Sequence, residues 1–369
     1  MTARAEAPTR MKGKRVASLD VARGWMLLTS VSSAAVVTQR PPWLVHAVWR
    51  GITIYDLIFP LFVTLSGVGM AFAYRNRVSH WVSLRRVVVL LVVGLIYGGL
   101  TSGNWAPGTF RVTGTLQLYA ALVALLAAAH LVARGWRAWA GVTLGVGTVL
   151  AVWLRLWANG CPGGELTPAC NPSATIDGAL FGARMYAEGR LGHDPEGIVA
   201  ILGAFITASA GVTAGHMALE LRRRGAGPFA LAAWAGLVAV WGLALTALVP
   251  AFKRLWTPSF ALTAAALGIV LFGVAFLLFD VPRRVIRPES MERLAAPFAA
   301  LGRNSLLVYF GSHLAIALLW QLGEPRWAGR IADVLGTGAA GPVLFAVANV
   351  AAWWLLAIAL HRRRIYVHA

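Results

Sequence analysis

The sequence predicts an all-α fold: a polytopic membrane helix bundle of about ten transmembrane helices with both termini cytoplasmic. Three observations carry that expectation. Of 369 residues, 58% are hydrophobic and 13% charged, with a mean hydropathy of +0.68; a soluble domain carries about 25% charged residues. The apolar residues come in long blocks rather than narrow periodic stripes, and about 20 of them in a row span a bilayer as a helix. Lys and Arg gather at alternate ends of those blocks, the pattern that sets orientation. The net charge of +19 would raise nucleic acid as a partner in a soluble chain. Here the cations form no basic face interleaved with aromatics, so the lipid bilayer is the expected partner and no nucleic acid is.

Residues 1–16 are basic and polar and read as a cytoplasmic tail. The block at 17–37 carries Asp20 and Arg23 in its first turn, with Ser18 able to cap it as a helix. The apolar stretch of a signal peptide would not normally hold both charges, so this is an uncleaved first span. Further spans are expected at 53–74, 84–101, 114–133, 138–157, 196–218, 227–249, 258–280, 296–320 and 341–361. Residues 17–361 then form one transmembrane domain in the cell membrane, followed by a basic tail at 362–369. This division leaves 21 of the 33 Lys and Arg on one side, Arg75, Arg77, Arg85, Arg86 and Arg222 among them, and ten on the other. The excess places both termini in the cytoplasm.

The longest connection, 158–195, faces outward on this topology. Its CPGGELTPACNP stretch is rich in Gly and Pro and reads as looped rather than helical. Cys161 and Cys170 lie in it, without the His partners of a zinc pattern, so no metal is expected. Facing an oxidising compartment they are expected to form a disulfide that staples the loop. Gly94 with Gly98, and Gly141 with Gly145, have the small-xxx-small spacing that lets helices approach closely within the monomer.

Several residues could carry chemistry. His46 and Asp56 lie ten apart in HAVWRGITIYDLIFP, polar at its start and apolar at its end. An ionisable pair at the mouth of a span is a functional-site hypothesis by default. His46 could move a proton near neutral pH, with Asp56 orienting its ring; alternatively Asp56 caps a helix and His46 is an ordinary loop histidine. Asp20 and Arg23, spaced i, i+3, can pair on one helix face or anchor an anionic ligand. Lys253, Arg254 and Trp256 lie on the outward side, against the positive-inside trend, where an interface anchor is the plain reading. LGRNSLLVYFGSH sets Arg303, Asn304, Ser305 and Tyr309 at the start of a span, where polar groups must satisfy one another or line a cavity.

Taken in order, RVASLDVARGWML, HAVWRGITIYDLIFPLFVTLSGV, RVTGTLQLY, the long loop ending in HDPEGI, KRLWTPSFAL and LGRNSLLVYF resemble the heparan-α-glucosaminide N-acetyltransferase family of transmembrane acyltransferases. The likeness covers about residues 15–313 and fits a compact form without a large luminal domain. It implies transfer of an acetyl group from cytoplasmic acetyl-CoA to an amino sugar or related glycan acceptor across the membrane. The resemblance puts the active histidine at His46 and the acidic position at Asp56. Asp20, Arg23, Gln117, Arg303, Asn304 and Ser305 become candidates for acetyl-CoA, and Trp49, Asp194, Glu196, Lys253 and Trp256 for the acceptor. Arg50 and Leu118 depart from the pattern, which has an uncharged polar residue and an Arg there. Acetyl-CoA is a co-substrate on this reading, and a homodimer is one open assembly state. The alternative is a transporter or flippase for a glycolipid or small solute, which the absence of an inverted repeat disfavours.

Overall fold

Thirteen α-helices run through the computed structural model, which describes residues 16–35, 42–224, 227–281, 288–321, 327–338 and 340–367. They are α1 (Ala17–Ala34), α2 (Ile54–Ala73), α3 (His80–Ser102), α4 (Thr115–Val132), α5 (Gly135–Asn159), α6 (Pro172–Phe181), α7 (Ile198–Arg224), α8 (Phe229–Leu245), α9 (Pro258–Phe279), α10 (Pro288–Arg303), α11 (Ser305–Gln321), α12 (Trp327–Leu335) and α13 (Ala340–Arg362). Among the described residues, seven helices are long and apolar enough to cross a membrane: α2, α3, α4, α5, α7, α9 and α13. The apolar α8 and α11 are shorter, at 17 residues each. The protein is a polytopic helical bundle. Of the charges used to orient it, Arg40, Arg283, Arg284, Arg287 and Arg326 and those of residues 1–15 lie outside the described residues.

At the centre α2 lies against α7, and α9 and α5 pack on α7. This close approach rests on glycine. A Cβ on Gly211 or on Gly67 would run into a backbone carbonyl of the facing helix, at Thr64 and Ala208 respectively. Gly211 and Gly215 share the small-xxx-small spacing. Of the pairs expected from sequence, Gly94 does sit against α4 at Leu116 and Gln117, whereas Gly98, Gly141 and Gly145 meet nothing within 4 Å.

Three local expectations change. Ser18 does not cap α1: its own amide donates to the Asp280 carboxylate at 2.9 Å, just beyond α9, while Val16 takes the cap position with no side-chain bond. The sequence hid this because the capping acid is 262 residues away. The span expected at 296–320 is two helices, α10 and α11, broken at Asn304, with α10 against α1 and α13. Within 158–195, Asn171 accepts from the amide of Ala174 and starts α6, so that connection is partly helical. Cys161 and Cys170 are disulfide-bonded in it.

The helix connections at 42–53, 103–114, 160–197 and 246–257 converge at one end of the bundle, here the His46 end. Trp49 Nε1 donates to Leu166 O at 2.9 Å, Gly51 N to Ala251 O at 3.0 Å, and Val112 N to Arg184 O at 3.0 Å. Asp20, Asp280 and Arg303 lie at the opposite end.

Crowding a side chain into the α2–α7 contact cannot be relieved, because the obstacle is backbone. Gly211→Ala is expected to lower the thermal midpoint in detergent, by an overpacking cost of about 1–3 kcal/mol that outweighs the gain of about 1 kcal/mol in helix propensity. Gly145→Ala, which meets open space, should leave the midpoint unchanged or raise it.

Candidate functional site

His46 and Asp56 are brought together by the way α2 begins. Thr53 takes the N-cap position: its Oγ1 accepts from Asp56 N at 3.3 Å, and its own amide donates to Asp56 Oδ2 at 3.0 Å, a reciprocal capping box. Oδ2 also accepts from Thr53 Oγ1 at 3.0 Å and from Ala47 N at 3.1 Å. The remaining oxygen, Oδ1, accepts from His46 Nδ1 at 2.7 Å. Gly51, at φ +103, allows the chain to double back between the two residues. Asp56 is fully buried, whereas the His46 side chain is 37% exposed.

The geometry fixes the tautomer. A carboxylate only accepts, so Nδ1 carries the proton and Nε2 keeps its lone pair. Tyr55 covers one side of the ring, 4.4 Å between centroids. Burial draws the His46 pKa below its usual 6.5, against the Asp56 hydrogen bond that works to raise it; the charge of Lys253 adds to the lowering. His46 is therefore neutral and oriented at neutral pH, with the Nε2 lone pair available.

Around the dyad the four connections supply a second layer. Trp49 packs on His193 (5.4 Å) and on Phe252 (5.5 Å). Asp194, with no exposed surface, accepts from Arg111 at 3.0 Å, Thr113 Oγ1 at 2.5 Å and Tyr186 N at 2.9 Å. Glu196 takes a second hydrogen bond from Arg111 at 2.6 Å. Burial alone would lower the Arg111 pKa, but these two carboxylates raise it. Asp194 is thus spent internally, locking the loop, with Glu196 beside it. Lys253 is buried in a tight turn, Lys253–Leu255. Trp256 faces the core rather than solvent: it is 0% exposed and donates Nε1 to Thr207 Oγ1 at 3.0 Å. Arg50 is exposed, 4.0 Å from Glu165, and Leu118 is a core residue.

A cavity of about 650 Å³ opens at the other end of the bundle. Asp20, Arg23, Arg303 and Ser305 line it, joined by Arg75, Arg86 and Arg222. Arg222 also reaches Asp280 at 3.9 Å. Arg77 and Arg85 are exposed and do not line the cavity. Neither does Asn304, which is buried behind the wall and accepts from Val367 N at 3.2 Å, nor Gln117, which packs by Gly94. Along α2 the lining runs from Ala73 to Phe59, about 21 Å at 1.5 Å per residue, out of a hydrocarbon thickness of about 30 Å. Phe59 is three residues from Asp56. It ends the cavity together with Leu116 and Tyr119, its ring meeting Tyr119 at 5.7 Å and Trp256 at 5.1 Å.

Sequence reasoning missed His193, Arg111, Tyr186 and the cavity residues Phe59, Phe62, Ser66 and Tyr119. His193 adjoins Asp194 and was within reach; aromatic residues inside an apolar run give no such signal. Tyr366 and Val367, read as part of a basic tail, fold back onto the cavity, where the Arg303 guanidinium lies 3.9 Å from the Tyr366 ring centroid.

No family model matches the chain. Over 385 residues it is 23% identical to a human protein, heparan-alpha-glucosaminide N-acetyltransferase, an alignment that takes in 87% of this chain and 55% of the relative. The mouse protein of the same name is 21% identical over 392 residues, 87% of this chain and 56% of the relative. The chain spans about half the length of the curated relatives it matches.

Replacing the carboxylate by an amide would leave His46 free to turn over and lose its tautomer. Asp56→Asn is expected to cut turnover at least about 100-fold while the far-UV spectrum stays helical, by analogy with the same change in hydrolase triads. Because the folded-state pKa of His46 lies below its ordinary value, its neutral form persists into mild acid. The acid limb of the pH–rate profile should therefore fall below pH 6.5, and a limb above that value would remove His46 as the base.

Proposed function

We propose that this chain, which belongs to the heparan-α-glucosaminide N-acetyltransferase family, is a membrane acyltransferase that takes acetyl-CoA at the Asp20 end and acetylates an amine at the His46 end. The acceptor is an amino sugar or a related glycoside, and the chain resides in the cell membrane with the His46 end outward. One observation carries this reading: a cavity rimmed by arginines runs about 21 Å through the bundle and stops three residues from an oriented His–Asp dyad.

The chemistry follows from the residues. The nucleotide of acetyl-CoA is polyanionic and cannot enter hydrocarbon, so it stays at the mouth, where Arg23, Arg75, Arg86, Arg222 and Arg303 supply cations. Guanidinium groups bind phosphate with paired, charge-assisted hydrogen bonds. The pantetheine arm is uncharged and fits a channel walled by Phe59, Phe62, Leu90 and Tyr309. The thioester then arrives beneath the Phe59 layer, and His46 works from above. As the acceptor nitrogen bonds to the thioester carbon, His46 Nε2 takes its proton; the C–S bond breaks, and the CoA thiolate takes that proton back. Alternatively Nε2 itself attacks and CoA thiolate leaves; the amine then attacks the acetyl-imidazole, the C–Nε2 bond breaks, and the amine proton passes to the freed Nε2 and on to the thiolate. Both routes need the lone pair on Nε2 that Asp56 secures.

The test is intact-mass spectrometry of the purified protein after incubation with acetyl-CoA, beside an assay of acceptor-dependent CoA release. A gain of one acetyl group, lost in His46→Ala, identifies the covalent route. No gain, with CoA release lost in His46→Ala, identifies direct transfer. Wild-type release in His46→Ala sinks the proposal, and solute flux without acyl-CoA consumption would replace it with transport. At the other end Arg86→Ala is expected to raise the KM for acetyl-CoA about 10- to 100-fold, the loss of one charge-assisted contact, with little change in acceptor KM.

A further inference from the structure

Lys253 is buried, 7% exposed, and among the described residues no acid lies within 4 Å of its ammonium and no acceptor is hydrogen-bonded to it. The carboxylates whose charge reaches it, Glu196 and then Asp56, are already committed. Glu196 is held by Arg111, and both oxygens of Asp56 are filled by His46, Ala47 and Thr53. Burial draws the Lys253 pKa down, against the pull of those two acids, and the charges of Arg254 and Arg111 add to the lowering; Arg254 also faces His46. A largely buried ammonium without a close carboxylate costs stability, so the fold holds a cation here at some expense.

Its position is specific. The turn that holds Lys253 is fastened to the histidine loop, because Gly51 N donates to Ala251 O at 3.0 Å and Phe252 packs on Trp49 at 5.5 Å. Three residues on, Trp256 packs on Phe59, at the end of the cavity. Lys253 therefore sits on a segment that touches both the dyad's loop and the place where a thioester would arrive. Its charge is also felt at His46.

We propose that Lys253 is a catalytic residue that donates a hydrogen bond to the acetyl carbonyl oxygen as that oxygen becomes anionic. The inference rests on the acetyl-transfer reading above. When nitrogen attacks the thioester, the C=O π pair moves onto oxygen, and Lys253 Nζ–H stabilises that charge. When the π bond re-forms, the C–S pair leaves with CoA and takes the proton from His46. Lys253 keeps its own protons throughout. A donor aimed at developing charge in a site closed to water is the largest single contribution in many acyl transfers.

The test is Lys253→Met, similar in length and without the charge, in the full-length protein in detergent. The turnover number is expected to fall 100- to 1000-fold, the loss seen on removing one such donor, with acetyl-CoA and acceptor KM within about threefold. Thermal stability should rise, since an unpartnered buried charge is gone, and the acid limb should move to higher pH, since His46 no longer faces that cation. Lys253→Arg should recover part of the turnover and return the limb. Unchanged turnover in Lys253→Met overturns the proposal. A loss confined to acceptor KM overturns it too and assigns Lys253 to an anionic group on the acceptor. Should Lys253→Met fail to fold, Lys253→Gln is read by the same split of turnover against KM. An inactive wild type would count instead against the acetyl-transfer reading, and wild-type activity abolished by His46→Ala but indifferent to Lys253 would remove this inference alone.

Discussion

One carboxylate organises the His46 end. Asp56 closes the first turn of α2, gathers the amides of Ala47 and Thr53, and fixes the ring of His46. Its functions as helix cap and as orienting acid are divided between the two oxygens of one carboxylate, Oδ2 and Oδ1. That economy makes the site rigid, because the loop cannot shift without undoing the helix start. It also ties chemistry to the core: α2 is the helix that packs most closely on α7, through Gly67 and Gly211.

The two ends of the bundle use charge differently. At the His46 end the buried acids around the dyad are committed: Arg111 is shared by Asp194 and Glu196, and His46 is held by Asp56. Lys253 and its neighbour Arg254 have no carboxylate within 4 Å among the described residues. At the Asp20 end arginines outnumber acids around an open cavity. Such a surplus suits a polyanionic co-substrate that arrives from solution and leaves again. An internally balanced cluster suits a fixed scaffold for proton transfer.

Much of this was legible in the sequence, for identifiable reasons. Membrane helices announce themselves by length and composition, so the bundle could be read directly. His46 and Asp56 could be paired because both lie in one short stretch at a helix mouth. Asp20, Arg23, Arg303 and Ser305 are grouped by the family resemblance, which also names Gln117 and Asn304, two residues that lie off the cavity. What escaped depended on contacts between distant segments. The Asp280 cap on α1, the Arg111–Asp194 lock and the return of Val367 to the cavity join residues 262, 83 and 63 apart. The break at Asn304 escaped because the apolar stretches on either side of Arg303, Asn304 and Ser305 read together as one span, with those polar groups taken to line it. Trp256 looked like an interface anchor by composition, and only packing places it in the core.

The aromatic layer of Phe59, Tyr119 and Trp256 has an electrical consequence. On the proposed topology, a water-filled cavity reaching about 21 Å along α2 would concentrate the membrane potential across this layer. Moving one net charge through it would cost about 2.3 kcal/mol per 100 mV. On the proposed chemistry an acyl group formally travels outward as a cation while a proton, relayed by His46, travels inward to the thiolate. The two movements cancel. Each turnover is then electroneutral, and the reaction proceeds at the same equilibrium in an energised membrane as in a depolarised one.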